Sequence, residues 1–141
     1  MTVPDAFERY RDVLQSLNAE NLDLLDDVVT PDVRFSDPFH ALTGADRMKA
    51  VFSRIFETAD DIVFVIDDWA CGSETVYFRW TLTATLSDRP WSVTGVTRAT
   101  FDEAGRVIDH VEYWDSASQL YERFPVIGPI LRYARRRIAG H

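Results

Sequence analysis

After residue 60 the apolar spacing of this chain changes from helical to alternating, which no all-helical fold accommodates. Asp61–Cys71, Glu74–Ser87, Pro90–Asp102 and Arg106–Asp115 are four long segments rich in Val, Ile, Thr and aromatic residues. Gly72-Ser73, Asp88-Arg89 and Glu103-Ala104-Gly105 mark the turns between them. Four consecutive strands with short connections predict an antiparallel meander. In the second of these segments Val76, Phe78, Trp80, Leu82, Ala84 and Leu86 share one face, while Tyr77, Arg79, Thr81, Thr83 and Thr85 share the other. One face is therefore packed and the other wetter.

The segment before residue 60 is mostly helical. Pro4 fits a first helical turn, and Phe7, Tyr10, Val13, Leu14 and Leu17 then follow at helical spacing. A second, short helix fits Leu22 to Val29. Thr30-Pro31-Asp32 stops it, because the residue before a proline is pushed out of the α region. Val33, Phe35 and Asp37 alternate with Arg34 and Ser36 in a short strand that ends at Pro38. Asp46 to Thr58 carries Met48, Val51, Phe52, Ile55 and Phe56 on one helical face. Helices followed by a sheet predict an α+β fold with the helices on the sheet's apolar face. No linker or repeat divides residues 1–141, so one domain is expected, with residues 116–141 as a helical extension. That extension should form two short helices joined at Phe124-Pro125. The apolar stripe Ile127, Ile130, Leu131, Ala134 and Ile138 is expected to dock on the domain, leaving the arginines in solvent.

Composition narrows the function classes. The 141 residues carry 15 Lys+Arg against 23 Asp+Glu, a net charge of −8 that disfavours a general nucleic-acid binder. Four of those basic residues lie in the last ten positions, leaving eleven against 23 acids elsewhere. The single cysteine, Cys71, excludes an intrachain disulfide framework. No apolar run reaches ~18 residues, so no transmembrane helix is expected, and with no signal-peptide pattern the expected location is cytoplasmic. Aromatic residues make up 13% of the chain. They read first as a well-filled core and, more sharply, as an aromatic-lined concave pocket.

Motifs for phosphate, dinucleotide and zinc chemistry are missing, and no cofactor or metal is expected. A two-histidine-plus-carboxylate site can be written from Asp37, His40 and His110, but two of the three crowd one strand exit. Asp37, before Pro38 and between Phe35 and Phe39, reads either as a turn-starting aspartate or as a general base at the mouth of an apolar cavity. In the last strand His110, Glu112 and Trp114 share one face, and Val111, Tyr113 and Asp115 the other. Periodicity favours Val111 and Tyr113 as the more apolar side, which leaves open whether the His110 set points inward.

The run Leu17-Asn18-Ala19, Leu22-Asp23 and Val33-Arg34-Phe35-Ser36-Asp37-Pro38 resembles the opening of ketosteroid isomerase. Phe101-Asp102-Glu103-Ala104-Gly105-Arg106-Val107 is similar to a hairpin of the wider family. His110-Val111-Glu112-Tyr113-Trp114-Asp115 resembles the last strand of SnoaL-like polyketide cyclases. Together they resemble the nuclear-transport-factor-2-like superfamily over roughly residues 5 to 115. The resemblance implies a cone: a curved antiparallel sheet wrapped around the N-terminal helices with a hydrophobic pocket inside. It places Asp37 at the isomerase's general base, and it turns His110, Glu112, Trp114, Phe78, Trp80 and Leu82 toward the pocket. The isomerase's oxyanion donors correspond to Val13 and Thr97, with Tyr10 one turn away as a partial substitute, so ketosteroid isomerisation itself is not expected. Catalytic roles fall to Asp37 and His110. A hydrophobic ligand would meet Tyr10, Phe39, Phe78, Trp80, Thr97, Glu112 and Trp114. Two hypotheses stand side by side: a cofactor-free acid/base enzyme, and a non-catalytic ligand-binding or dimerisation module. The resemblance also implies a homodimer through the outer sheet face at Tyr77, Arg79 and Thr81.

Overall fold

The computed structural model describes residues 1–121, Pro125 and residues 127–140. It begins with helix α1, Val3–Ser16. Thr2 caps it: its hydroxyl oxygen accepts from the Asp5 amide at 3.2 Å, and Pro4 occupies the first turn. Ala6, Phe7, Tyr10 and Leu14 are its buried face. A 3-10 turn, Leu22–Asp27, precedes strand β1, Val29–Ser36. The structure corrects two boundaries here. The short helix stops at Asp27, because Val29 pairs with Val107 and the Val107 amide donates to the Val28 carbonyl at 2.8 Å. The strand in turn runs back through Pro31 to Val29, with an irregular register between Val29 and Arg34.

A three-residue strand, β2 (Ala41–Thr43), was not predicted; it pairs with β1 across Ser36↔Ala41. Helix α2, Ala45–Thr58, follows and buries Ala45, Met48 and Val51. The meander is β3 (Asp60–Cys71), β4 (Thr75–Leu86), β5 (Arg89–Phe101) and β6 (Val107–Tyr113). Its β4–β5 turn is Ser87-Asp88 rather than the expected Asp88-Arg89. Both turn residues have positive φ, 52° and 61°, the type I′ geometry that matches strand twist.

The six strands form one curved, unclosed sheet in the order β2-β1-β6-β5-β4-β3. All pairs are antiparallel except β1–β6, which is parallel. That pair turns a local meander into a wrap, since it brings the N-terminal half against the last strand. Helices and inner sheet face enclose a core of Phe7, Tyr10, Leu25, Phe35, Met48, Phe78 and Trp80 with their neighbours. On β4, Val76, Phe78, Trp80 and Ala84 are buried while Tyr77 and Arg79 are exposed, as the alternation predicts. The fold is the expected α+β cone.

The extension contains both expected helices, α3 (Ser116–Gln119) and α4 (Ile127–Ala139). Phe124 and His141 lie outside the described residues. The expected docking of α4 is not observed. Ile130 is 64% and Ile138 89% exposed, and Gly128 is the helix's only buried residue. The α3 end is held instead: the Gln119 side chain accepts from the Thr94 amide (2.8 Å) and donates to the Thr94 carbonyl (3.1 Å). These bonds lie just beyond the Val96↔Tyr113 pair, where β6 ends. The Trp91 indole also donates to the Gln119 carbonyl at 2.7 Å. Two polar anchors therefore fix the segment where an apolar stripe was expected to.

Candidate functional site

Register decides what meets in the cone. β6 places His110 opposite Ala99 and beside Phe35, and Glu112 opposite Thr97. His110 is 2% exposed, with Glu112 on the same inward side. Tyr10 reaches this wall from α1. Its hydroxyl lies 2.7 Å from His110 Nδ1, and His110 Nε2 lies 3.0 Å from Glu112 Oε1. A carboxylate can only accept, which assigns the ring hydrogen to Nε2 and leaves Nδ1 to accept from the tyrosine. The result is a relay: Tyr10 donates to His110, and His110 donates to Glu112. Phe35 stacks on the imidazole at 5.1 Å and 18°, fixing the ring plane. Phe78 and Phe101 pack edge-on against Tyr10 at 6.4 and 6.1 Å. Burial first, and then the Glu112 charge, push the Tyr10 hydroxyl well above its ordinary value, so it stays protonated. Glu112, with 17% of its side chain exposed, is the solvent-side end of the relay.

A second hydrogen bond braces the same wall. The Trp80 indole donates to Thr97 Oγ1 at 2.9 Å. The indole fits because position 95 is glycine; a Cβ there would sit 2.5 Å from Trp80 Cζ2 and 3.0 Å from Trp114 Cβ. Phe64 packs on the same indole at 5.5 Å.

Asp37 belongs to a different group. Its Oδ1 accepts from the Phe39 amide at 2.8 Å and the His40 amide at 2.7 Å, closing the four-residue turn between β1 and β2. His40 Nδ1 lies 2.9 Å from Oδ1 and 3.1 Å from Oδ2. Asp37 is 8% and His40 31% exposed in their side chains. Among the described residues no hydrogen bond or ion pair joins Asp37 to His110. Beside this turn, Phe39 contacts Trp114 at 5.6 Å and Tyr121 at 5.8 Å, both edge-to-face.

The structure thus brings Tyr10, His110 and Glu112 together, and joins Trp80 to Thr97 beside them. Phe78 lies in the core against Tyr10, and Phe39 and Trp114 form an outer rim in which Phe39 is 44% exposed. Tyr10's hydroxyl, considered as a substitute oxyanion donor, is occupied by His110. Sequence reasoning missed Phe35 as the ring that fixes His110, and it weighed His40 only as a metal ligand. The signal for His40 was its position three residues after the aspartate of an Asp-Pro pair, where a turn returns it to the carboxylate. Hollows of about 230 Å³, beside Asp26, Pro31, Asp46 and Arg106, and about 380 Å³, along Tyr133, Arg136 and Arg137, lie away from this wall. Among the described residues no three His, Cys, Asp or Glu side chains converge as metal ligands.

Residues 8–110 match the family model of the SnoaL-like domain. The chain belongs to the SnoaL-like family. Solved structures show the same fold. A putative SnoaL-like polyketide cyclase from Jannaschia is 19% identical, with a TM-score of 0.72 over 89% of this chain and 91% of that one. An LEH-like epoxide hydrolase from M. tuberculosis is 16% identical, with a TM-score of 0.67 over 99% and 96%. A protein of ketosteroid isomerase-like fold from Catenulispora acidiphila, in complex with trimethylamine, is 14% identical, with a TM-score of 0.71 over 85% and 92%. No curated protein matches the sequence. Among the described residues of this SnoaL-like chain, no helix is long and apolar enough to cross a membrane.

Proposed function

We propose that this SnoaL-like protein is a cofactor-free acid/base catalyst for a hydrophobic small molecule, with Glu112 as the carboxylate that exchanges the proton. The observation that carries this reading is the Tyr10–His110–Glu112 relay. Its buried end is fixed by aromatic packing and its far end is the partly exposed carboxylate. A carboxylate that accepts from a buried imidazole keeps one oriented oxygen toward the ring and offers the other to a substrate. His110 holds Glu112 in place and spreads its charge toward Tyr10. Phe39 and Trp114 supply an apolar rim for the ligand, and the Asp37 turn closes that rim. A polyketide cyclase and an epoxide hydrolase share the fold, and both reactions suit a positioned carboxylate.

The test is turnover of two substrate classes, styrene oxide and an aromatic polyketide methyl ester, by wild type and Glu112→Gln. We expect turnover of at least one, falling ~10²–10⁴-fold in the variant at unchanged thermal midpoint. Equal rates, or no turnover of either, would overturn it.

The second reading, a non-catalytic binding module, is favoured by a specific observation. Both His110 nitrogens and three of the approaches to Asp37 are already satisfied within the protein. It expects the same ligand affinity from wild type and Glu112→Gln. In either reading the outer sheet face supports a homodimer: Arg79, Val96 and Tyr113 are cross-strand neighbours there, flanked by exposed Tyr77 and Val65. Light scattering of wild type against Val96→Arg tests it.

A further inference from the structure

We propose that His40 is a second acid/base residue at the mouth of the cone, presented by Asp37 as its positioning residue. The inference rests, for its chemistry, on the acid/base reading above, but it concerns a dyad that shares no bond with the relay. Three donors converge on the Asp37 carboxylate: the Phe39 amide, the His40 amide and His40 Nδ1. A carboxylate held by two backbone amides has acceptor capacity only, so the hydrogen between it and the ring belongs to Nδ1. Neutral His40 therefore carries its lone pair on Nε2. Among the described residues nothing bonds to that nitrogen.

The two imidazoles are set in opposite senses. His110 has both nitrogens engaged and its ring stacked in the core. His40 has one nitrogen fixed by a carboxylate and the other open, in a side chain 31% exposed. That is the arrangement of an oriented general base, in which one nitrogen is locked so that the other meets the reacting proton. Alternation places it on the inner side. Leu42, two residues on, packs against the core, and Asp37 continues the inward series of Val33 and Phe35. Phe39, in the same turn, touches Trp114 and Tyr121 and meets the His40 ring edge-to-face at 6.4 Å, so the His40 imidazole sits beside the aromatic rim. With Glu112 on the neighbouring strand, the mouth holds two proton-exchanging groups of different chemistry, as a reaction that removes a proton at one atom and returns one at another requires.

The probe is 4-nitrophenyl acetate, which needs no knowledge of the natural substrate. His40 Nε2 takes a proton from water as its oxygen bonds to the acetyl carbon. The ester bond breaks, 4-nitrophenolate leaves, and the imidazolium returns its proton to solvent. We expect hydrolysis above the buffer rate by wild type, at least ~10-fold slower in His40→Gln and slower in Asp37→Asn. His141→Gln, the control for the terminal imidazole, should keep the wild-type rate. Asparagine keeps Oδ1 for the two backbone amides but puts an amide group in place of Oδ2, 3.1 Å from Nδ1, where it opposes a hydrogen on that nitrogen. Long-range proton–nitrogen correlation should accordingly show Nδ1–H for His40 in wild type and lose that preference in Asp37→Asn. Equal ester hydrolysis by wild type and His40→Gln, or an Nε2–H tautomer in wild type, would overturn the proposal. If the ester result holds while neither styrene oxide nor the polyketide ester turns over, the relay reading fails and the dyad stands. If those substrates respond to Glu112→Gln but ester hydrolysis ignores His40→Gln, the dyad alone fails.

Discussion

Replacing Tyr10 with phenylalanine removes one oxygen and almost no volume, so it isolates the buried end of the relay. The ring is 0% exposed, and its contacts with Phe78 and Phe101 survive the change. What is lost is the 2.7 Å bond to His110 Nδ1. His110 cannot recover by switching tautomer, since a lone pair on Nε2 would then face the Glu112 carboxylate. The variant keeps a buried acceptor without a donor, which costs about 1–3 kcal/mol rather than the smaller net value of an ordinary hydrogen bond. With a urea m-value of about 2 kcal/mol/M, the unfolding midpoint should fall by about 0.5–1.5 M at unchanged slope. In a His110→Leu background the acceptor is gone, and Tyr10→Phe should be neutral or stabilising. A midpoint within about 0.2 M of wild type, or the same loss in both backgrounds, would mean that the Tyr10–His110 bond does not carry this stability. The hydroxyl also sets a pH dependence. Its folded value is raised above the ordinary 10.0, so its contribution is fully present below that value and is lost only as pH rises through the folded value. Absorbance titration should show Tyr10 ionising with unfolding, after the exposed tyrosines.

Gly95→Ala should cost about 2–4 kcal/mol, because the new Cβ meets the Trp80 indole and strains its bond to Thr97; a thermal midpoint lowered by less than about 3 °C would contradict this. The hydrogen bond from the Ser118 hydroxyl, then the Ser118 and Ala117 amides and the Arg135 charge, lower the Asp115 carboxyl against the opposing effect of burial. The α3 cap should therefore persist above the ordinary 3.8 and be lost as pH falls through the lower folded value, with carboxyl carbon titration showing Ser118→Ala moving Asp115 upward. Ile138→Ser, at an 89% exposed position, should leave the unfolding free energy from urea titration unchanged within about 0.5 kcal/mol, where a docked α4 would lose more.

The helix faces, the meander and its two-sided strands can all be read from the amino-acid pattern. Periodicity of 3.6 or 2 is a local property of the chain, and a buried stripe leaves its mark in composition. It also placed His110, Glu112 and Trp114 on a common side of the expected last strand. It did not say which side was inside, because Val111 and Tyr113 make the opposite face the more apolar one; packing of Phe35 and Tyr10 against His110 decided it. The partners were decided by tertiary structure alone. Tyr10 and His110 are a hundred positions apart and meet through the seating of α1 on the sheet. Asp37 went to His40 because a turn of four residues returns the chain before any distant group reaches it. The parallel β1–β6 pair has no local signature, since either strand would read the same beside another neighbour. The α4 stripe shows the converse: amphipathic spacing states what a helix can bury, and only the surrounding surface decides whether it does.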